Sequence, residues 1–381
     1  MRLLHVSAYY APAFVYGGPP RSIHGLCRAL CNVGADLRVF TTDANGRGRL
    51  PKDVTSPGEY DDVPVTYFPR SYPRQPIGSA ELVESLRATL RSVDVLHIHG
   101  LWNRVVWAAA REARRAGVPY VLSPRGMLQA GSLAHHRWRK RAAYALIEHR
   151  TIGGAALLHS TSDDETVGIA SWINGQRIVT IPNGVNASRP RPAVDQASLG
   201  APSNVPIILF IGRLHPIKRL DLLIDAFVLL KERRPDAQLV VAGPDEYDLR
   251  PALVARAGRY ADAIQWTGAV DEDARDGLLH HATALVLCSD SESFGMTVPE
   301  AMSAGLPVVV TTTCGWSDVA QHGAGLRVEQ GAEPIAGALL SLLESPDSAR
   351  AMGARGRALV ADKYQWDVIA RTFLQEYATL S

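Results

Sequence analysis

Two doubly wound α/β domains with a cleft between them are the fold this sequence predicts, on three observations. Apolar runs of strand length alternate with helix-periodic stretches from end to end. The alternation breaks once, at 183–206, in a segment rich in Pro, Ala, Ser and Asn that reads as a linker. The chain has 381 residues, which favours two cores over one. Strands that are apolar throughout and separated by helices make parallel sheets covered on both faces. Two such blocks joined by one linker make two domains, and open sheets of this kind bind ligands outside the carboxyl ends of their strands.

In the first block the strand-like runs are 3–7, 36–41, 93–98, 119–122, 157–160 and 177–181, with helical patterns over 22–33, 79–92 and 104–116. In the second block the strands are 206–211, 238–242, 263–266, 284–287 and 307–311, with helices over 218–234, 334–344 and 347–363. Apolar residues make up 46% and charged residues 20%, the balance of an ordinary soluble globular protein. Cys27, Cys31, Cys288 and Cys314 show no metal-ligand spacing, and nothing in them demands an oxidising compartment. The first residues read as a strand, too short for a signal peptide, and no run approaches ~20 apolar residues, so a cytoplasmic protein is the expectation.

Net charge is +2, unevenly spread. Residues 1–185 carry 22 basic and 14 acidic side chains (+8), and residues 186–381 carry 18 and 24 (−6). The basic half points to an anionic partner or to a merely uneven solvated surface. Within it, 135–141 combines basic residues with Trp138, which fits an anionic membrane surface, a phosphorylated acceptor or a solvent-facing helix. Near-neutral charge overall and no stacking platform argue against nucleic acid.

The chemistry-bearing residues fall at strand ends. Glu292 and Glu300 stand eight positions apart, the first in a strand-to-helix loop with Ser293, Phe294 and Gly295, the second on the helix that follows. Carboxylates there can accept paired hydroxyls of a ribose or hexose; spacing alone leaves open a capped helix with two exposed acids. Gly212, Arg213 and Lys218 follow the first strand of the second block, with Lys218 expected to begin a helix. A glycine for close approach, two cations and a helix N-terminus suit a diphosphate. Gly17 and Gly18 follow the first strand of the chain, either for backbone approach to a phosphate or sugar or as a plain tight turn. His97 and His99 share one side of a strand, a pair read as structural in preference to metal-binding because no nearby acid or Cys completes a ligand set. Arg125 ends the next strand and is expected to point into the same cleft.

Glu292 and Glu300, Gly212-Arg213 with Lys218, Gly17-Gly18 and Ile181-Pro182-Asn183-Gly184-Val185 together resemble the retaining glycosyltransferases of family 4, which have the GT-B fold of two Rossmann-like domains. The stretch 123–150 is similar to a branch that builds bacterial surface polysaccharides, lipopolysaccharide and exopolysaccharide among them. The resemblance implies domains of 1–185 and 186–364, with the last helix, 365–381, crossing back onto the first. It implies that Arg213 and Lys218 hold the donor diphosphate, that Glu300 takes the ribose and that Glu292 takes the donor sugar beside the amides of Ser293, Phe294 and Gly295. Val270 would face the base, and Gly17 and Gly18 would close over the donor. The family needs no metal and no cofactor beyond a nucleotide diphosphate sugar of UDP or GDP type. Many members carry His where this chain has Arg125; an arginine cannot act as a base, so the role is vacant or moves to His99, and Arg125 serves as a further clamp on phosphate.

The expectation is therefore a retaining, metal-independent hexosyltransferase acting on a hydroxyl of a glycan or lipid-linked saccharide. It would be cytoplasmic, with peripheral contact at the inner face of the plasma membrane. A catalytically silent nucleotide-sugar scaffold and a nucleotide-sugar epimerase are the alternatives.

Overall fold

The computed structural model describes residues 1–71, 76–129, 144–173, 175–186 and 205–380. The expected basic segment 135–141 and most of the expected linker lie outside the described residues. The chain forms two compact units, Met1–Gly184 with Trp366–Ser381, and Val185–Gln365.

The first unit is built on β1 (Arg2–Ser7), β2 (Asp36–Thr42), a small hairpin of β3 (Ala44–Asn45) and β4 (Gly48–Arg49), β5 (Glu59–Tyr60), β6 (Val63–Phe68), β7 (Val95–His99), β8 (Tyr120–Ser123), β9 (Leu157–Ser160) and β10 (Ile178–Thr180). Outside the hairpin these make one eight-stranded sheet in the order β10-β9-β8-β7-β1-β2-β6-β5. Every pairing in it is parallel except β5 with β6. The central strands are mostly apolar because both faces are covered, and β7 is buried along its whole length, its polar His97 and His99 included. On one face lies the helix Gly18–Asn32, which buries Ile23, Leu26, Cys27 and Leu30 at helical spacing. The C-terminal helix Trp366–Ala378 joins the same face, burying Ile369, Ala370, Phe373 and Tyr377. A Cβ on Gly25 or Gly184 would come within 2.3–2.4 Å of the Trp366 indole, so both positions must be glycine for that helix to seat.

The second unit holds β11 (Ile207–Ile211), β12 (Gln238–Ala242), β13 (Ile264–Gly268), β14 (Ala284–Leu287), β15 (Val308–Thr311) and β16 (Gly325–Val328). They form an all-parallel sheet in the order β13-β12-β11-β14-β15-β16. The helices Leu220–Arg233 and Ala332–Glu344 cover one face through Leu223, Phe227, Leu230, Ile335 and Leu339. The helix Thr297–Ala304 covers the other through Val298, Ala301 and Met302.

Each sheet grows outward in both directions from its first strand. In the first unit the reversal falls between β1 and β7, and in the second between β11 and β14. Loops leaving such neighbours turn to opposite faces and leave a crevice at the strand ends, which is where this class of sheet binds ligands.

Several boundaries differ from the sequence expectation. The α-helix begins at Leu220; Lys218 ends a 3₁₀ turn, Pro216–Lys218, and Arg219 takes a left-handed conformation (φ 53°) between them. Lys218 therefore stands just before the α-helix and does not begin it. The last stretch of 347–363 is a π-turn, Val360–Tyr364. β6 was not anticipated because Pro64 interrupts its pattern; it sits next to the short edge strand β5. The helix Glu272–His281 was missed because it is polar and contains Gly277; its start is set by Asp271, whose side chain accepts from Ala274 N at 2.8 Å. Among the described residues no helix is long and apolar enough to cross a membrane.

Candidate functional site

In the second unit the switch point gathers the expected donor residues. Gly212 follows β11, and its amide donates to Ala242 O of β12 at 2.9 Å. Gly243, at the end of β12, approaches so closely that a Cβ there would lie 1.9 Å from Gly212 O. This tight crossing carries Arg213, exposed, onto the open end of the sheet, where Nη1 pairs with Glu246 at 3.0 Å. His215 accepts from Ile217 N and so starts the 3₁₀ turn that presents Lys218.

The loop after β14 meets that turn. Asp290 N donates to Ile217 O at 2.8 Å, and Arg219 bonds both Asp221 and Asp290, each at 3.0 Å, its guanidinium stabilised further by those two carboxylates. Glu292 then lies against Lys218: one oxygen, Oε1, accepts from Lys218 Nζ and from Ser289 Oγ at 2.7 Å. The pair is sheltered, with side chains 21% and 9% exposed, so water screens it less than a surface pair. Phe294 is buried with its ring 5.0 Å from Trp316, and Trp316 Nε1 donates to Phe294 O. Gly295 (φ 71°) turns the loop into the helix Thr297–Ala304; a side chain there would meet Leu287 and Trp316 at 3.0–3.2 Å.

Glu300 falls in the first turn of that helix, where a carboxylate is favoured by the helix dipole. It is held by Arg275, whose Nη1 lies 3.3 Å from Oε1. Val270 follows β13 on the turn after Gly268 (φ 69°) and is half-buried against the apolar face. Gly212, Arg213, Lys218, Glu292, Ser293, Phe294, Gly295 and Glu300 thus share the carboxyl edge of one sheet. The residues not anticipated are Glu246, Ser289, Trp316 and Arg275, each a partner of an anticipated one. Glu246, Ser289 and Trp316 lie in loops that follow β12, β14 and β15, a position the sequence marks; Arg275 lies on a helix it does not.

In the first unit Gly17 (φ 85°, ψ −137°) caps both the 3₁₀ turn Phe14–Tyr16 and the helix Gly18–Asn32, a conformation other residues resist. Gly18 is different: its φ is ordinary, it is exposed, and a Cβ there would meet nothing within 4 Å.

Arg125 is not open to solvent. It stands in the left-handed region (φ 56°), is 8% exposed, and donates to Asn183 Oδ1 at 2.8 Å and to His99 Nδ1 at 3.3 Å. Burial works against its charge, and Glu165 is the main group favouring it. An arginine only donates, so His99 Nδ1 must accept; neutral His99 then carries its proton on Nε2, which donates to His5 Nδ1 at 3.1 Å. Both nitrogens of His99 are committed, and burial with the Arg125 charge holds its pKa well below the usual histidine value. In this arrangement both lone-pair and N–H positions of His99 face internal partners, with none left over for an acceptor proton.

His97 belongs to a second chain of hydrogen bonds whose direction is also fixed. His159 Nε2 donates to Ile181 O at 2.8 Å, so His159 Nδ1 accepts from Ser123 Oγ at 2.6 Å. Ser123 Oγ then accepts from His97 Nε2 at 2.6 Å, and His97 Nδ1 accepts from Tyr377 of the C-terminal helix at 2.6 Å. The fold adds to the expected pair His5, and Cys27 with Sγ 3.3 Å from His5 Nδ1; sequence proximity gave no sign of either. His5, His97 and His99 place potential ligand atoms within 4.8 Å of one another. Yet among the described residues five of their six ring nitrogens have partners, His5 Nε2 being the exception, and the Arg125 cation stands alongside. A metal would have to break this network against a fixed positive charge, so the donor set does not fit one.

Residues 17–184 match a family described as glycosyl transferase 4-like domain, and residues 193–359 one described as glycosyl transferases group 1. A D-inositol 3-phosphate glycosyltransferase of Streptomyces scabiei is 30% identical over 99% of this chain and 90% of its own. The protein of the same name from Arthrobacter is 29% identical over 95% and 90%. Among solved structures, HepE of Anabaena in complex with UDP and glucose superposes with a TM-score of 0.77 at 18% identity, covering all of both chains. WaaG, a glycosyltransferase involved in lipopolysaccharide biosynthesis, does so at 0.70 and 17%, covering 100% of this chain and 99% of its own. The two parallel sheets with their switch-point loops, the matched families and these relatives lead to one conclusion: this chain belongs to glycosyltransferase family 4 and has the GT-B fold.

Proposed function

We propose that this protein is a retaining, metal-independent hexosyltransferase. It moves a hexose from a nucleotide diphosphate sugar, of UDP or GDP type, to a hydroxyl of a glycan or lipid-linked saccharide in polysaccharide biosynthesis. The observation that carries the reading is the meeting of Arg213, Lys218, Glu292 and Glu300 at the carboxyl edge of one sheet, on loops leaving β11 and β14 and the helix after them.

Arg213 and Lys218 hold the diphosphate, and their two charges do the work a metal does elsewhere. Lys218 already leans on Glu292, so a bound phosphate would share the ammonium with that carboxylate, bringing the sugar hydroxyls near Glu292 and the loop amides of 293–295. Glu300 accepts the ribose hydroxyls, Val270 faces the base, and Gly17 and Gly18 approach the donor. In the reaction the bond from the anomeric carbon to the β-phosphate oxygen breaks, and its electron pair stays on the phosphate. The acceptor oxygen bonds to the same carbon from the same face, and its proton passes to the departing phosphate oxygen. No side-chain base is required, which suits an Arg125 and a His99 that are both engaged internally. Arg125 contributes by fixing the strand-end turn and by its charge beneath it.

The relatives' name favours a second reading of the acceptor, a phosphorylated cyclitol, which also suits the +8 charge of residues 1–185. Transfer by purified protein from a panel of nucleotide sugars, to lipid-linked saccharides and to inositol phosphates, separates the two. Glu300→Ala is expected to weaken nucleotide binding at least tenfold, and Lys218→Ala to lower kcat by 10²-fold or more, on the order of a lost oxyanion-type contact. Chelation should leave turnover unchanged. Undiminished transfer in both variants would sink the assignment; donor conversion without acceptor would indicate an epimerase.

A further inference from the structure

Arg275 lies in the first turn of the helix Glu272–His281, where no motif of the sequence marked it. Three features make its place costly. A cation in the first turn opposes the helix dipole. The side chain is four-fifths buried. Its Nε is buried with no partner among the described residues, a donor taken from water without return. Glu272 and Asp276 stand 3.8 and 3.9 Å from Nη2, near enough to offset the charge but beyond hydrogen-bond reach, so the Nε donor stays unmatched. The hydrogen bond the guanidinium makes to a carboxylate is to Glu300, from Nη1 at 3.3 Å. A buried donor left unmatched in the first turn of a helix is the kind of local cost found at functional or strained sites.

We propose that Arg275 is the positioning residue that makes this site select ribonucleoside over 2′-deoxyribonucleoside diphosphate sugars. The inference rests on the reading of Glu300 as the ribose acceptor. A glutamate turns about three side-chain torsions, and each restraint on them narrows the plane its carboxylate can take. The hydrogen bond that Arg275 Nη1 donates to Oε1 from a neighbouring helix is one such restraint. Vicinal hydroxyls can then be met together, and a sugar lacking one of them leaves a desolvated carboxylate lone pair unmatched. Arg275 stands behind Glu300 and touches no part of the donor itself.

The test is calorimetric binding of UDP and GDP, each beside its 2′-deoxy counterpart, to the full chain and to Arg275→Gln, Arg275→Lys, Glu300→Gln and the Arg275→Gln/Glu300→Gln double variant. For the base that binds, the unaltered protein should prefer the ribonucleotide roughly tenfold or more, the worth of a hydrogen bond to a charged acceptor. Arg275→Gln should weaken the ribonucleotide by a similar factor, leave the deoxynucleotide within about twofold and so erase the preference. The double variant should show no further loss, because both changes disable one device. Under turnover Arg275→Gln should raise the donor KM and leave kcat at saturation nearly unchanged, a split that general loosening of the fold does not produce. Arg275→Lys keeps the charge without the fork, serves should the glutamine variant not fold, and should also lose most of the preference. A preference intact in both Arg275 variants but lost in Glu300→Gln overturns the role of Arg275 and leaves the donor reading standing. A preference intact in Glu300→Gln, or absent from the unaltered protein, removes the ribose role of Glu300 and this inference with it.

Discussion

Gly17 and Gly18 are adjacent and identical, yet the structure requires only one of them. Gly17 occupies a left-handed conformation at a double cap, whereas Gly18 has ordinary dihedrals and open space where a side chain would go. The fold does not explain the second glycine; the proposed approach of its backbone to the donor would. Gly17→Ala should cost on the order of 1 kcal/mol and lower the melting temperature by a few degrees. Gly18→Ala should leave the melting temperature within about a degree, since alanine is the better helix former, and should reduce transfer. Equal thermal losses in the two variants would remove the distinction. Arg125 and the glutamates show what a sequence says about a side chain. Residue type and place along the chain were legible; whether a charge faces a ligand or a neighbour was not. Glu292 turned out to rest on Lys218, Glu300 on Arg275, and Arg125 on Asn183, because partners 74, 25 and 58 positions away come together only through the sheet.

At the scale of elements, the C-terminal helix Trp366–Ala378 is an integral part of the first unit. Phe373 and Tyr377 are buried, and the Tyr377 hydroxyl ends the chain that runs through His97, Ser123 and His159 to Ile181 O. Tyr377→Phe keeps the ring and deletes that donor, leaving a buried acceptor on His97. The expected loss is about 1–3 kcal/mol in urea unfolding. That chain and the neighbouring one through Arg125, His99 and His5 make stability depend on pH. Burial pushes His5 and His159 down to about 3, and His97 and His99 well below the usual value. Unfolded, all four titrate near 6.5, so below that pH the unfolded chain binds more protons than the native one. Stability contributed by the neutral rings is therefore full above pH ~6.5 and falls as the pH drops from there, the share of His5 and His159 levelling off below about 3. Each ring contributes at most about 1.4 kcal/mol per pH unit in that window. Urea midpoints at pH 7 and pH 5 test this, and an unchanged midpoint would show the rings already charged in the native state.

For the molecule as a whole, the uneven charge remains the least absorbed feature. A basic first half and an acidic second half predict that any membrane contact is electrostatic and local to residues 1–185. Sedimentation with phosphatidylglycerol vesicles at low salt should capture the protein. Raising ionic strength to about 0.5 M, where the Debye length falls to a few ångströms, should release it, and neutral vesicles should not bind. Failure to bind at low salt ends the membrane proposal. Nothing in the fold itself requires it.

The alternation of apolar strands with helices determined two mainly parallel sheets from sequence alone, because a strand buried on both faces reads as a largely apolar run and a parallel neighbour has to be reached by a crossover. Motif position determined which residues stand at strand ends. Tertiary structure alone decided strand order, and with it the reversals between β1 and β7 and between β11 and β14 that place those ends at crevices. It alone decided the short edge strand beside Pro64, the polar helix that brings Arg275, and the partner of each charge. These choices rest on contacts between residues far apart in the chain, and hydrophobic periodicity, which is a local signal, carries no information about them.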